Sequence, residues 1–378
     1  MHYDHIVIGA GMSGISAASE LALHGSTLLL EAEAAPGHHS TGRSAALYTP
    51  NFGNPVVRTL NRAGHDFFAR PGPAFADTPL LHPRGALTIA APGEEALLAE
   101  LIRSASPEHP IRTLSASEAL ARVPLLRAER VAAAAFEPGV MDIDVGAMQQ
   151  GFLRRFRARG GTLVPGRRVD ALVCQGTGWT VTSGTETLSA GTLVNAAGAW
   201  AGELAALAGI HSPALVPKRR TVIIVDAPAG IDVQPLPLVD FTGSPAYVKP
   251  DAGRLMASLG DETPDRPHDV QPDEHDIAVL VDWLERESVV DVRRVNASWA
   301  GLRTFTADRT PVVGFDERAP GFFWLAAQGG YGIMMAPALA RVTAALVSGR
   351  EMPADLVSGG VTPAALAPGR AGLQAGAA

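Results

Sequence analysis

Apolar positions near the start of this chain fall in short runs rather than long stretches. Ile6-Val7-Ile8, led in by His5, predicts a buried strand, and Thr27-Leu28-Leu29-Leu30 predicts a second. Between them, residues 15–24 are rich in Ala and Leu and predict a helix, with Gly25 at the position that ends helices. Downstream, helical patterns cover 65–69, 93–104, 115–122, about 145–159, 276–286 and 333–348. Ser115 with Glu118 three residues later forms a capping box at the start of one of them. Strand patterns cover 132–136, 163–164, 169–174, 179–182, 187–190, 192–195, 221–225, 247–250, 255–258, 290–299 and 322–328. The alternation of strand and helix at the N-terminus predicts an α/β fold, mixed with antiparallel segments in the middle of the chain.

Gly9-Ala10-Gly11-Met12-Ser13-Gly14 joins the first strand to the first helix, and Glu31 closes the second strand. This is a phosphate-binding fingerprint in its expected context. Gly9 suits a tight turn, Gly11 leaves room for a pyrophosphate at the backbone, and Gly14 suits close packing of helix on sheet. The helix N-terminus presents free N–H groups and a positive dipole end. Glu31 is placed to accept from ribose hydroxyls and disfavours a 2′-phosphate. The motif alone does not separate NAD from FAD. Two later stretches repeat the strand, small-residue turn, helix pattern: Asn195-Ala196-Ala197-Gly198-Ala199-Trp200 and Gln328-Gly329-Gly330-Tyr331-Gly332. Between 38 and 46, small and hydroxyl residues crowd together, suited to close approach by a flat ligand.

Composition narrows the class. The chain has 378 residues, 47% of them hydrophobic, enough for two domains or one large α/β domain. A net charge of −7 with no basic tract argues against a nucleic-acid partner. No apolar run reaches the roughly 18 residues of a membrane span. The first strand starts so near Met1 that no room is left for a signal peptide, so a cytoplasmic location is expected. Cys174 is the single cysteine, which excludes an internal disulfide. It is expected as a small buried residue in a β-meander. Asp142 and Asp144 read as a turn residue and a helix cap, and no metal site is expected. His38 and His39 read as loop residues.

Taken together, the opening fingerprint, Ser40-Thr41-Gly42-Arg43-Ser44, Asn195-Ala196-Ala197-Gly198 and Gly329-Gly330-Tyr331-Gly332 resemble the FAD-dependent D-amino acid oxidase and dehydrogenase family. This is the group of the glycine and sarcosine oxidases. Lys218-Arg219-Arg220, the stretch from Tyr247 to Gly253, and Trp299-Ala300-Gly301-Leu302-Arg303 resemble the D-arginine dehydrogenases within it. The resemblance implies a Rossmann-like FAD-binding domain built from 1–78, 139–212 and 301–362. It implies an inserted substrate domain on a mixed β-sheet from 79–138 and 213–300, with 363–378 as a flexible tail. It implies non-covalent FAD held by Gly9, Gly11, Met12, Ser13, Gly14, Glu31, Ser40, Thr41, Arg43, Ser44, Ala45, Val169, Ala197, Gly198, Trp200, Gly329, Gly330, Tyr331, Gly332 and Ile333. It also implies oxidative deamination of a D-amino acid to a 2-oxo acid and ammonia, by hydride transfer from Cα to the flavin.

By the same resemblance, Arg220, Arg303 and Tyr247 clamp the substrate carboxylate, and the Gly330 carbonyl accepts from the amine. Arg219 is expected on the opposite face of its strand. Asp308 is expected to be structural. The pocket would be lined by Leu47, Tyr48, Phe52, Ala86, Leu238, Asp240 and Met334. Ala86 stands where D-arginine dehydrogenases carry an acid. Leu47, Phe52 and Met334 replace a histidine, a tyrosine and a glutamine. Such a pocket favours neutral, hydrophobic D-amino acids in a dehydrogenase. Asp240 opposes that expectation if it faces the pocket; otherwise it caps a turn with Thr242 and Gly243. Basic D-amino acids and secondary amines are the alternative substrates. The electron acceptor is open between a quinone or other carrier and O2.

Overall fold

The computed structural model describes residues 1–72 and 74–373. Two sheets organise it. In the first, Thr162–Val164, Thr27–Leu30, His2–Ile8, Glu186–Asn195 and Phe322–Ala326 run parallel in that order. A hairpin of Ala171–Gln175 and Gly178–Ser183 extends the outer end of Glu186–Asn195, and Val312–Phe315 pairs antiparallel with Phe322–Ala326. Helices Met12–Leu21, Val145–Ala158, Pro55–Ala69 and Gly332–Val347 pack together over one face.

The opening helix starts at Met12 because Gly11, in extended conformation, already serves as its N-cap. Two glycines make the turn possible. Gly9 has φ +102, and a Cβ there would meet the Ala196 carbonyl oxygen at 2.5 Å. A Cβ on Gly14 would lie 1.8 Å from the Gly9 carbonyl oxygen, so only glycine lets helix and strand approach this closely.

The second sheet runs Thr263–Pro264, Val216–Val225, Arg254–Ser258, Tyr247–Asp251, Leu238–Phe241, Ala86–Ala90, Ala133–Glu137, Arg112–Leu114. Val295–Phe305 pairs with Val216–Val225 over almost its whole length. Both strands extend further than apolar pattern alone predicts. Lys218, Arg219 and Arg220 are polar, but cross-strand hydrogen bonds hold them in strand conformation. Period-2 alternation then divides the sheet into two faces. Val239, Phe241, Ile223 and Val248 pack on one side against Trp283 and Leu284 of the helix Glu274–Glu287. Leu238, Asp240, Arg220, Val222 and Tyr247 point the other way, toward the first sheet.

Asp142 stands on a small third sheet of Leu47–Tyr48, Met141–Ile143 and Leu81–Pro83 and ties it to the second sheet. It accepts from Arg84 Nε at 2.7 Å and from Lys249 Nζ at 2.7 Å. Asp144 caps the helix Val145–Ala158, accepting from the Ala147 N–H at 2.8 Å. The capping box at Ser115 and Glu118 is present.

Two expectations are corrected. Cys174 is exposed, because the hairpin end carries its strand past the core and only Leu172 reaches inward. The tail is docked as far as residue 373. Pro363–Leu366 is helical, Leu366 and Leu373 are buried, and Arg370 Nε donates to Asp308 Oδ2 at 2.8 Å. The last five residues of the expected tail, 374–378, lie outside the described residues. No helix among the described residues is long and apolar enough to cross a membrane.

Candidate active site

A cavity of about 690 Å³ lies between the two sheets. The first sheet and its loops contribute Gly9, Gly11, Met12, Ser13, Glu31, Val169, Ala197, Gly198 and Trp200. Ser40, Thr41, Ser44 and Ala45 line it from the loop after Glu31, and Gly329, Gly330, Tyr331, Gly332 and Ile333 from the turn after Phe322–Ala326. The second sheet contributes Arg220, Tyr247, Ala86, Leu238 and Asp240, with Arg303 beside them; Leu47, Phe52 and Met334 complete the wall.

The cavity suits an extended dinucleotide. The helices beginning at Met12 and Gly332 have no side-chain cap from their N-cap residues, so apart from the Met12 N–H, which Thr41 takes, their first-turn N–H groups remain available to an anion. Glu31 is held rigidly at the wall, accepting from the Ala10 N–H at 2.7 Å and the Glu33 N–H at 2.9 Å. Thr41 Oγ1 accepts from the Met12 N–H at 2.9 Å, closing the loop over the glycine turn. Gln328, which lines the cavity, has a buried Nε2 with no partner among the described residues. Such a donor calls for a ligand acceptor. His39 contacts Glu33 at 2.9 Å and packs on Trp200 at 4.5 Å between rings. Glu33, His38 and His39 converge within 4.8 Å, a grouping their spacing did not suggest.

Three expected lining residues do other work. Gly14 sits behind the turn, where its lack of a side chain permits packing. The Arg43 side chain turns away from the cavity to Asp269 and to the carbonyls of Val270 and Ala300, both at 3.1 Å. Tyr48 is buried in the helical core against His65 and Phe68, because Leu47–Tyr48 alternates and Leu47 takes the cavity side. Burial pushes its phenol up to about 12.

Charge is concentrated at the second-sheet end. Arg220 Nε donates to the Asp261 carbonyl at 2.9 Å, and its Nη2 lies 3.5 Å from Glu262. Glu262 also accepts from Lys218 at 2.8 Å and from Arg309 Nη1 at 2.9 Å. Those cations, Arg309 first, hold its carboxyl down at about 2. Arg219 faces outward, with Nη2 2.8 Å from Asp276.

Arg303 differs from its neighbours. Its guanidinium donates to two carbonyls, Arg43 at 2.7 Å and Leu302 at 3.3 Å, and has no carboxylate partner among the described residues. It is packed on every side except where it opens on the cavity. Burial, with Arg220 nearby, pulls it down to about 10. Gly301 makes the room: a Cβ there would lie 2.7 Å from Arg303 Nη1.

Asp240 faces the cavity. The turn at Thr242 and Gly243 is capped by Glu94 instead, which accepts from Thr242 Oγ1 at 3.0 Å and the Gly243 N–H at 3.2 Å. Asp240 Oδ1 is buried with no partner among the described residues. Burial raises its carboxyl to about 6, opposed by the facing Thr88. Glu137, which sequence reading passed over, also lines the cavity. Burial raises its carboxyl too, with Asp240 adding to the shift and Asn51, donating at 2.8 Å, opposing it. Thr49, Asn51, Thr88, Glu262 and Arg309 are further lining residues that no motif marked.

The sequence profile of the family described as FAD dependent oxidoreductase matches residues 4–346. Glycine oxidase of Geobacillus kaustophilus is 28% identical over 253 residues, 65% of this chain and 64% of that protein. A hydrogen cyanide synthase subunit of Pseudomonas aeruginosa is 33% identical over 172 residues, 43% of this chain and 38% of that protein. The chain thus matches less than two thirds of the length of these relatives. The crystal structure of the Geobacillus glycine oxidase superposes with a TM-score of 0.81 at 23% identity, covering 98% of this chain and 99% of that one.

Proposed function

Since this chain belongs to the family of FAD-dependent oxidoreductases, we propose that it oxidises a D-amino acid at Cα to an imino acid, which water converts to a 2-oxo acid and ammonia. FAD, when bound, takes up the two electrons and the Cα hydrogen. The observation that carries the reading is Arg303, a cation set into the cavity wall with no carboxylate partner among the described residues. A buried guanidinium in that state is relieved by a carboxylate, which it binds bidentately. Arg220 and the Tyr247 hydroxyl lie on the same sheet face and add further donors.

Other groups of the chain complete the assignment. The carbonyl of Gly330, to which no backbone N–H of the surrounding turn donates among the described residues, can accept from the substrate amine. The uncapped N–H groups at Gly332 stabilise negative charge that develops beside them. The division into an FAD-binding part (1–78, 139–212, 301–362) and a substrate part (79–138, 213–300) belongs to this reading. It is supported by the strands of the first sheet, which all fall in the former ranges. The D configuration rests on the resemblance of the Arg220, Tyr247 and Arg303 segments to D-amino acid oxidoreductases.

Likeness to glycine oxidase favours a second reading, oxidation of glycine or an N-methyl amine with O2 as acceptor. The test is an anaerobic absorbance scan of the flavoprotein mixed in turn with D-leucine, D-lysine, L-leucine, L-lysine, glycine and sarcosine. Bleaching by D-amino acids alone supports the reading. Bleaching by glycine and sarcosine alone establishes the second, and bleaching by L-amino acids alone overturns the stereochemistry.

A further inference from the structure

Resting on that reading, we propose that Asp240 and Glu137 form an acidic subsite that receives a cationic group at the far end of the substrate side chain. The register places both acids on the face that carries the arginines. Tyr247 stands directly opposite Asp240, Leu238 opposite Ala86, and Ala86 opposite Glu137. Three strand spacings separate the Arg220 strand from the Asp240 strand, a span of about 14 Å. A ligand with a carboxylate at one end and an ammonium roughly four to six carbons away fits between two such side chains. Leu47, Ala86, Leu238 and Met334 supply the apolar wall that its methylenes need.

Neither acid is neutralised within the protein. Among the described residues no Lys, Arg or His forms an ion pair with Asp240 or Glu137. Arg58, a cation whose charge acts on Glu137, donates from Nε to the Gly53 carbonyl at 2.8 Å and from Nη1 to the Ser104 carbonyl at 2.7 Å. Glu137 is nonetheless fixed in place. Asn51 Nδ2 donates to it, while the Asn51 carbonyl accepts from the Ser106 N–H at 2.9 Å. Two buried carboxylates that feel each other, one with an oxygen lacking any partner, are costly unless a cation joins them. On this proposal the two acids on strands flanking the pocket outweigh the apolar Ala86, from which a neutral substrate is expected.

The test separates this subsite from the carboxylate clamp by using ligands without an α-amine, which cannot react. Calorimetric titration of the FAD-loaded protein compares 5-aminopentanoate with pentanoate, and the four- and six-carbon pairs alongside. The proposal expects the amino ligand of one pair to bind at least tenfold more tightly. It expects Asp240→Asn to reduce that preference to threefold or less without weakening the binding of pentanoate. Glu137→Gln should reduce it in part. Equal or tighter binding of the plain carboxylates by the wild type overturns the subsite and leaves the clamp standing. So does a preference that persists in both variants. Failure of every carboxylate to bind overturns the clamp and the subsite together. In turnover, D-lysine should exceed D-norleucine in kcat/KM by tenfold or more, and the ratio should collapse in Asp240→Asn.

Discussion

Replacing Arg303 by methionine should cost the protein little stability and most of its hold on a carboxylate. A shift from 12.5 to about 10 corresponds to about 3 kcal/mol set against the charged form in the folded state. Methionine removes that strain and fills much of the same volume. It also removes two hydrogen bonds to the carbonyls of Arg43 and Leu302, at 2.7 and 3.3 Å. Such bonds from a charged donor contribute about 1.5–3 kcal/mol each when well made, and the second is long. The opposing contributions nearly cancel, so unfolding free energy should change by less than about 2 kcal/mol. Breaking a buried ion pair would instead cost about 3–5 kcal/mol. Loss of a charged partner for the ligand costs at least about 2 kcal/mol, or about 30-fold in affinity. Urea unfolding of the FAD-loaded protein and titration with pentanoate measure the two quantities. A stability loss of about 3 kcal/mol or more would refute the reasoning and make Arg303 a structural residue. Pentanoate affinity within threefold of wild type would refute the clamp.

Other substitutions bear on separate parts of the account. Folding raises the Asp240 carboxyl from 3.8 to about 6, so the folded protein binds more protons than the unfolded chain between those values. Its ligand-free stability should therefore fall as pH rises from about 4 to 6, by about 2 kcal/mol relative to Asp240→Asn, read from melting curves of both across that range. Gly11→Ala meets only Thr41 Oγ1 at 3.5 Å, so this variant should fold normally yet lose at least tenfold in FAD affinity, measured by flavin fluorescence. Gly14→Ala drives a Cβ to 1.8 Å from the Gly9 carbonyl and should lose the folded state, visible in circular dichroism. Glu262→Gln frees Lys218, Arg309 and Arg220 from a shared carboxylate. It should lower stability by about 1–2 kcal/mol and raise KM more than it lowers kcat.

The parts of the site that local pattern determines were legible in the sequence. Residues 5–31 contain a strand, a glycine turn, a helix and a terminal acid, and the structure assembles them in that order, with the helix three residues earlier than its apolar pattern, at Met12–Leu21, and closed by Ala22 rather than Gly25. Adjacent arginines at 219 and 220 had to face opposite sides of a strand, and they do. What depends on pairing between distant segments was not legible. Whether Asp240 faces the cavity or a turn is decided by its partners Tyr247 and Thr88, and by Glu94, which takes over the turn. Glu137 stands at a strand end beside Pro138-Gly139, and only its pairing with Ala86 brings it to the cavity. Leu47–Tyr48 is too short to display a period, so nothing marked Tyr48 as the inward residue. Cys174 was misplaced for the converse reason: its strand is regular and pairs as far as Gln175, but it is the edge strand of the sheet and the core stops at Leu172.

The central claim is that the arginine pair selects a substrate by its α-carboxylate and so presents Cα for oxidation. Anaerobic mixing of the flavoprotein with an amino acid and, separately, with the amine left by removing its carboxylate tests it directly. D-lysine against cadaverine and D-leucine against isopentylamine are suitable pairs. The account predicts flavin bleaching by at least one of the D-amino acids, with one ammonia and one 2-oxo acid released per flavin. It predicts no bleaching by the matching amine on the same time scale. Bleaching by the amine as fast as by the amino acid would contradict it, because Arg303 and Arg220 would then have no part in choosing the substrate.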